Sequence, residues 1–271
     1  MSRIVIPGGS GFLGQALASV LVARGDDVVI LSRGEARPVE DTRTVVWDGQ
    51  SIGPSVSALE GADALVHLNG RRVDMRAGTR CSTSTRRRPA LARGRWSRCV
   101  SPGRAPSIKR VRRSNARCCC AWASVSVVAT TRRPRKLAQL VRLGLGGRVG
   151  SGRQWVSWVG LDDLISAMVL AIDDETMTGV YHVTSPNPVT NAEMMATYRR
   201  LLGRRIGLPS PAWLARIGAP ILASSASLAL AGRRVVPTRL VERGFEFEQQ
   251  DFEQQDFEPA ARKALEACGL L

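Results

Sequence analysis

The run Ile4-Val5-Ile6-Pro7-Gly8-Gly9-Ser10-Gly11-Phe12-Leu13-Gly14 limits what this chain can fold into more than any other stretch. Ile4 to Ile6 reads as a short strand apolar on both faces, as a parallel strand covered from two sides must be. Glycines at 8, 9, 11 and 14 follow it. A helical pattern comes next, with Leu13, Leu17, Val20 and Leu21 on one side and Gly25 as its C-terminal stop. Gly8 permits the tight turn out of the strand. Gly11 lets the backbone approach a pyrophosphate, and Gly14 lets the helix pack closely on the sheet. The helix start offers free N–H groups and a partial positive charge to phosphates. Glycine-rich turns are common, but one set between a first strand and a first helix points to a dinucleotide loop. Its residues are Gly8, Gly9, Ser10, Gly11, Phe12, Leu13 and Gly14.

The second strand, Asp27 to Ser32, ends where such a fold selects its cofactor. An acid there would bond the ribose 2′-hydroxyl of NAD, whereas a basic residue accommodates the 2′-phosphate of NADP. The chain has Ser32-Arg33 and no acid at the strand end. Arg33 can fork onto a phosphate or stand solvated, and the balance favours NADP over NAD. A third strand is expected at Thr44 to Trp47, a helix over Val56 to Leu59, and a fourth strand from Ala64 to Leu68, ending in Asn69-Gly70. His67, alternating within that strand, reads as a core residue rather than a catalyst.

The formal charge of +16 looks like the footprint of a nucleic-acid binder until it is mapped. Residues 71–136 hold 20 of the 39 Lys and Arg and one acid, Asp74, while the rest of the chain is mildly acidic. Five of the six cysteines (Cys81, Cys99, Cys118, Cys119 and Cys120) fall in the same segment, leaving Cys268 outside. From Arg71 to about Lys136 neither a sustained helical stripe nor alternation is found. Ala123 to Thr130 is the one run there that passes as a strand. Three readings compete. A nucleic-acid segment would want aromatic platforms, and Trp96 and Trp122 are its only rings. A zinc module would want CxxC pairs and histidines, and the cysteine triplet is contiguous. The third reading is translation outside the ancestral frame, since shifted GC-rich codons yield Arg, Ala, Pro, Gly, Ser and Cys. The composition favours the third.

From Leu137 the order returns. Gly150-Ser151-Gly152-Arg153-Gln154-Trp155-Val156-Ser157-Trp158 leads to Asp162-Asp163-Leu164, where the two acids suit a helix start. That helix carries Leu164, Ile165, Met168, Val169 and Ile172 on one face. Gly179 to Thr184 reads as a strand. Thr190-Asn191-Ala192-Glu193 is a capping box, opening a helix with Met194, Tyr198, Leu201 and Leu202 inward. The pentad Phe247-Glu248-Gln249-Gln250-Asp251 recurs at Phe252 to Asp256, too few copies for a repeat architecture and read as a surface-loop duplication. A last helix starts at Pro259.

Gly8-x-x-Gly11-x-x-Gly14 resembles the GxxGxxG loop of extended short-chain dehydrogenase/reductases, with Pro7 where that family normally has Thr. Gly150 to Leu164 resembles the GSGRQWxSWIHxDDL signature of its atypical epimerase branch, with Gly160 in place of the usual His. Arg233-Arg234-Val235-Val236-Pro237 resembles that branch's GQRVxP element, and Leu240 to Phe245 its LLEAGF ending. Asn69-Gly70 is similar to the family's NAG element beside the cofactor. The resemblance covers residues 1–70 and 137–271. It implies an α/β fold: a Rossmann-type doubly wound parallel sheet with a small, mainly helical C-terminal lobe. It also implies an NAD(P)-dependent oxidoreductase or epimerase acting on an unidentified small molecule.

On this reading residues 1–70 begin the dinucleotide domain, 71–136 are the anomalous segment, and 137–271 complete the domain and carry the lobe. Asn69 and Gly70 join the cofactor residues. Arg153 and Trp155 are the candidates for substrate contact, with an ion pair to Asp162 as the alternative use of Arg153. The family's Tyr acid/base, with Lys four residues on, is missing: Tyr181 and Tyr198 have no such Lys, and Lys109, Lys136 and Lys263 are no better placed. No catalytic residue is therefore nominated, and a cofactor binder without turnover is the second reading. No metal site, membrane span or leader is expected. Ile217 to Ala231 is apolar and uncharged but short, and carries Pro220 and three serines; it reads as a buried helix or helix pair, and the protein as cytoplasmic.

Overall fold

A computed structural model describes residues 1–34, 39–48, 55–68, 117–118, 126–127, 132–210, 232, 234–248 and 257–271. The chain begins as a β-α-β unit. Strand β1 (Arg3–Pro7) feeds helix α1 (Phe12–Ala23), and β2 (Asp27–Ser32) returns parallel to β1 with Ile4 opposite Val28 and Ile6 opposite Ile30. β3 (Arg43–Val46) follows, then α2 (Ser55–Leu59), β4 (Ala64–Leu65) and β5 (Arg117–Cys118). These strands form one parallel sheet in the order β3-β2-β1-β4-β5. Pairing with β1 runs beyond β4, because the N–H groups of Val66 and Leu68 donate to the carbonyls of Val5 and Pro7 at 2.9 and 2.8 Å.

Alternation within β1 divides the molecule into layers. Ile4 and Ile6 face a core with Leu17, Ala18 and Leu21 of α1 and Leu164, Ile165 and Met168 of α4 (Leu161–Asp173). Val5 faces the other way, onto Ala58 of α2 with Val29, Leu31 and Leu65. A sheet with helices on both faces is the expected doubly wound arrangement. Helix α1 stops as expected. Gly25 takes φ +87°, its N–H donates to Val22 O at 2.8 Å, and the N–H of Asp26 reaches Leu21 O at 3.0 Å. That is a Schellman closure, which satisfies carbonyls the helix leaves open. One residue of the expected apolar stripe is misplaced, since Val20 is 45% exposed while Gly14 and Ala18 are buried beside Leu17 and Leu21.

A second core lies elsewhere. It joins Ala138 and Val141 of α3 (Arg132–Arg142), Trp158 of β8 (Trp158–Val159), Met195 and Tyr198 of α5 (Asn191–Leu201), and Phe257, Ala260 and Leu265 of the last helix. Trp158 and Tyr198 both meet Phe257 edge to face, at centroid distances of 5.5 and 6.0 Å. Two further helices close the chain, α6 (Thr238–Val241) and α7 (Phe257–Glu266). Met195, not Met194, is the methionine buried from α5.

Two stretches depart from their sequence reading. Gly179 to Thr184 forms no strand; it is held through side chains instead. Arg239 donates to the carbonyls of Thr178 and Val180 and stacks on Tyr181 at 4.0 Å. Conversely, β5 and β6 (Ser126–Val127) rise inside the Arg-rich segment, and β6 pairs parallel with β8. β6 falls within the run that passes as a strand, whereas β5 had no signal. A short parallel strand need show no alternation, so its pattern is invisible. The apolar run Ile217 to Ala231 and the duplicated pentads beyond Glu248 lie outside the described residues. No helix among the described residues is long and apolar enough to cross a membrane.

Candidate functional site

The glycine loop is shaped by close backbone approach. Gly8 takes φ +81° and its N–H donates to Leu31 O at 2.9 Å, carrying the chain off the end of β1. Gly9 lies on the sheet: a Cβ there would stand 2.9 Å from Ile6 O and 3.0 Å from Ile30 Cγ2. A Cβ on Gly14 would fall 2.4 Å from the Cα of Gly9. Gly14 therefore approaches the sheet through Gly9, which lies between them. At Gly11 an added Cβ would touch Gly8 O at 3.3 Å and nothing else within 4 Å among the described residues. Gly11 is thus the glycine whose missing side chain opens space instead of admitting packing, as a close-approaching phosphate requires.

Gly11 is also the N-cap of α1 and makes no side-chain cap. The first bond counted from the cap is Gln15 N–H to Gly11 O, 2.9 Å. The N–H groups of Ser10, Phe12, Leu13 and Gly14 meet no acceptor among the described residues. Open donors at a helix start carry partial positive charge and suit an anion. Leu13 packs against the first core, while Phe12 stays 38% exposed.

The end of β2 is tied into this loop. The buried Ser32 hydroxyl donates to Ser10 Oγ at 3.0 Å. Arg33 follows, exposed, and no carboxylate among the described residues pairs with it. Asn69 and Gly70 lie outside the described residues; the chain reaches Leu68 alongside the end of β1. His67 is exposed, which corrects its reading as a core residue: the ladder is held by the N–H groups of Val66 and Leu68 on either side of it.

A separate cluster forms around β7 (Trp155–Val156), which pairs antiparallel with β9 (Val189–Thr190). Gly150 and Gly152 take φ of +59° and +73°, turning the chain sharply before Arg153. The turn is bonded to the start of α5: Asn191 Oδ1 accepts from Val149 N–H at 2.9 Å, and Ala192 N–H donates to Gly152 O at 3.0 Å. Gln154 reaches back to Val149 O at 2.7 Å, leaving Arg153 and Trp155 exposed.

Asp162 pairs with Lys263, so the ion pair considered for Arg153 is not made. Asp163 is buried at the start of α4 and accepts the N–H of Glu248 at 2.8 Å. Burial pushes its carboxyl above the usual range. One contact had no signal in the sequence. The guanidinium of Arg234 lies over the Trp155 ring at 5.0 Å, an exposed cation–π pair of roughly 0.5–1 kcal/mol. Among the described residues, no hydrogen bond, ion pair or ring contact joins Arg153, Trp155 or Arg234 to residues 8–14.

Neither tyrosine is placed as an acid/base. Tyr181 accepts a bond from Arg239 at 3.2 Å and is buried. Tyr198 sits in the second core, and burial pushes its phenol up, away from any role near neutral pH. No three His, Cys, Asp or Glu side chains among the described residues are grouped to hold a metal.

Similar proteins are known. The family described as a domain of unknown function (DUF1731) matches residues 210–254. An epimerase family protein of Mycobacterium bovis is 36% identical over 117 residues, which are 42% of this chain and 37% of that protein. The chain thus spans little more than a third of the length of the first curated relatives it matches. The human epimerase family protein SDR39U1 aligns across 90% of this chain and 95% of its own length, at 26% identity. Its crystal structure, isoform 2 with NADPH, superposes with a TM-score of 0.63 at 25% identity, covering 97% of this chain and 99% of that one.

The chain is similar to proteins named epimerase family proteins, along nearly its whole length in the human case. A UDP-N-acetylglucosamine 4-epimerase from Bacillus cereus, 12% identical with a TM-score of 0.59 over 97% of this chain and 98% of that one, shares the fold. A dinucleotide such as the NADPH in that human structure fits the geometry. Gly11 leaves an open approach, and the N–H groups beside it are unclaimed among the described residues.

Proposed function

We propose that this chain binds NADP(H) on the loop Gly8 to Gly14 and serves as an oxidoreductase or epimerase of an unidentified small molecule. The observation that carries the reading is the loop itself, a close-packed glycine turn ending in four N–H groups without an acceptor among the described residues. Arg33, without a carboxylate partner among the described residues and one residue past β2, favours a 2′-phosphate, and the human relative's structure holds NADPH. A bound nicotinamide would supply the hydride chemistry. This chain's residues would hold the pyrophosphate from Ser10, Phe12, Leu13 and Gly14, and Asn69 and Gly70 would line the cofactor. Arg153 and Trp155 would meet the substrate. The cellular site on this reading is the cytoplasm.

A second reading has its own observation. Both tyrosines are committed to packing, and neither has a lysine beside it, so the chain would bind cofactor without turnover. Residues 71–136 stand on this view as an out-of-frame stretch between family segments 1–70 and 137–271; resequencing the gene tests that, and an intact frame in related strains would overturn it.

Cofactor binding decides first. Titration with NADPH and NADH, read by thermal shift, is run on the chain and on Gly11→Asp. Saturable stabilisation by NADPH, weaker with NADH and lost in the variant, is expected. Neither cofactor binding would sink the proposal. Binding without turnover across a substrate screen would favour the second reading.

A further inference from the structure

Two helices of the second core stop side by side, and both stop in the same way. At the end of α3, Gly144 takes φ +82°, its N–H donates to Val141 O at 3.0 Å, and Leu145 N–H reaches Leu140 O at 2.9 Å. At the end of α5, Gly203 takes φ +65°, its N–H donates to Arg200 O at 3.1 Å, and Arg204 N–H reaches Arg199 O at 2.8 Å. The segments that leave these ends are joined backbone to backbone. Leu208 N–H donates to Gly144 O at 2.8 Å, and a Cβ on Gly207 would lie 2.7 Å from the carbonyl carbon of Gly146.

Such closures ordinarily fold an apolar side chain back onto the helix. Here the apolar side chains stand outward. Leu143 and Ile206 are 74% and 77% exposed, Leu145 and Leu208 are exposed too, and none of the four joins any of the three cores. Apolar residues gathered on one exposed spot inside a polar rim mark a surface that something covers.

The rim identifies the cover. Residues 132–161 and 194–210, which build this face, contain no Asp or Glu. Some of their arginines serve the fold: Arg142 reaches Leu270 O, Arg199 reaches Gly146 O, and Arg200 pairs with Glu258. Arg204 and Arg205, exposed just beyond α5, have neither a carboxylate partner nor a side-chain hydrogen bond among the described residues. A second copy docked here about a two-fold axis would turn those arginines toward their own equivalents. Nucleic acid would leave the aliphatic side chains uncovered, and residues 143–148 and 204–210 offer it no ring to stack on. An anionic lipid surface suits both halves, since aliphatic side chains enter the acyl boundary while arginines meet headgroup phosphates.

We infer that the paired ends of α3 and α5 are a docking face for an anionic membrane. Leu143, Leu145, Ile206 and Leu208 enter the lipid, and Arg204 and Arg205 hold headgroup phosphates. The contact is peripheral and stands whether or not the glycine loop takes a nicotinamide cofactor.

Flotation of the full chain with vesicles tests this, with pure phosphatidylcholine in one arm and an equal mixture with phosphatidylglycerol in the other. Binding should be confined to the mixed vesicles and should weaken as ionic strength rises. It should fall roughly tenfold or more in the double variant Arg204→Gln/Arg205→Gln, and by a similar factor in Leu143→Ser/Ile206→Ser. All four side chains are exposed, so both variants should melt with the parent. Binding kept by both variants would assign the lipid to the basic segment 71–136 and overturn the inference. Loss with the arginines but not with the serines would also overturn it, because charge alone would then explain the contact. A parent chain that binds neither vesicle overturns it outright, and sedimentation with and without duplex DNA then shows whether nucleic acid or a second copy takes the face instead.

Discussion

Gly9 and Gly14 touch backbone to backbone: a single added carbon on Gly14 would sit 2.4 Å from Gly9 Cα and 2.6 Å from Gly9 O. Neither atom belongs to a side chain that could swing away. Gly14→Ala must push α1 off the loop, an overpacking strain of ~1–3 kcal/mol. Urea melts should show that loss together with weakened NADPH binding. Alanine tolerated on both measures would mean the loop approaches less closely than described.

Pro7 creates an unmade bond. The N–H groups of Val66 and Leu68 donate to Val5 O and Pro7 O, so residue 7 turns its polar groups toward that neighbouring segment. A donor at residue 7 would meet the carbonyl of Val66, which has none among the described residues. Leaving a buried acceptor unmade costs about 1–3 kcal/mol, more than the ~0.4–1 kcal/mol by which proline stiffens the unfolded chain. Pro7→Thr should therefore raise the urea midpoint. No rise would show that the carbonyl is satisfied otherwise.

Asp163 titrates against the fold. Burial raises its carboxyl, helped by the charges of Glu248 and Asp162, and outweighs the lowering effect of the Glu248 N–H bond. The native state then holds the proton more tightly than the unfolded chain. Its contribution to stability is present at low pH and is lost as pH rises from the usual carboxylate range through the raised native value. Asp163→Asn keeps an acceptor for Glu248 and cannot ionise. Its stability relative to the parent should climb with pH across that window in a series of melts. Asp163→Ala, which strands the N–H, should be the weaker variant throughout.

Thr190 and Glu193 cap α5 reciprocally. Thr190 Oγ1 accepts from Glu193 N–H at 3.3 Å, and Glu193 Oε2 accepts from Thr190 N–H at 2.7 Å. Thr190→Ala should cost about 0.5–2 kcal/mol. Because this helix start also bonds Val149 and Gly152, the same variant should weaken whatever binds at Arg153. Measured stability within error of the parent would remove the cap from the account.

How much of this was legible depends on whether a feature is local. The turn into α1, its Gly25 stop and the Thr190 capping box are written in residues within a few positions of each other, and a reader of sequence finds them. Helical spacing fixes a stripe but not its width, so it puts Val20 inward where the small residues Gly14 and Ala18 make the contact instead. Gly179 to Thr184 looked like a strand by composition, yet it is held by a guanidinium that arrives from Arg239, about sixty residues on. Arg234 over Trp155 is hidden for the same reason. Nothing near either residue in the chain announces the other.

The second core has a consequence for the order of folding. β1, α1 and β2 meet through neighbours in sequence and can assemble as soon as some thirty residues are free. Trp158 and Tyr198 wait for Phe257, on a helix some sixty to a hundred residues further along the chain. Until α7 arrives, an indole and a row of aliphatic side chains stand open to water, the kind of surface chaperones hold and aggregates recruit. The chain's most vulnerable moment in the cell is therefore the interval between the emergence of β8 and the docking of α7.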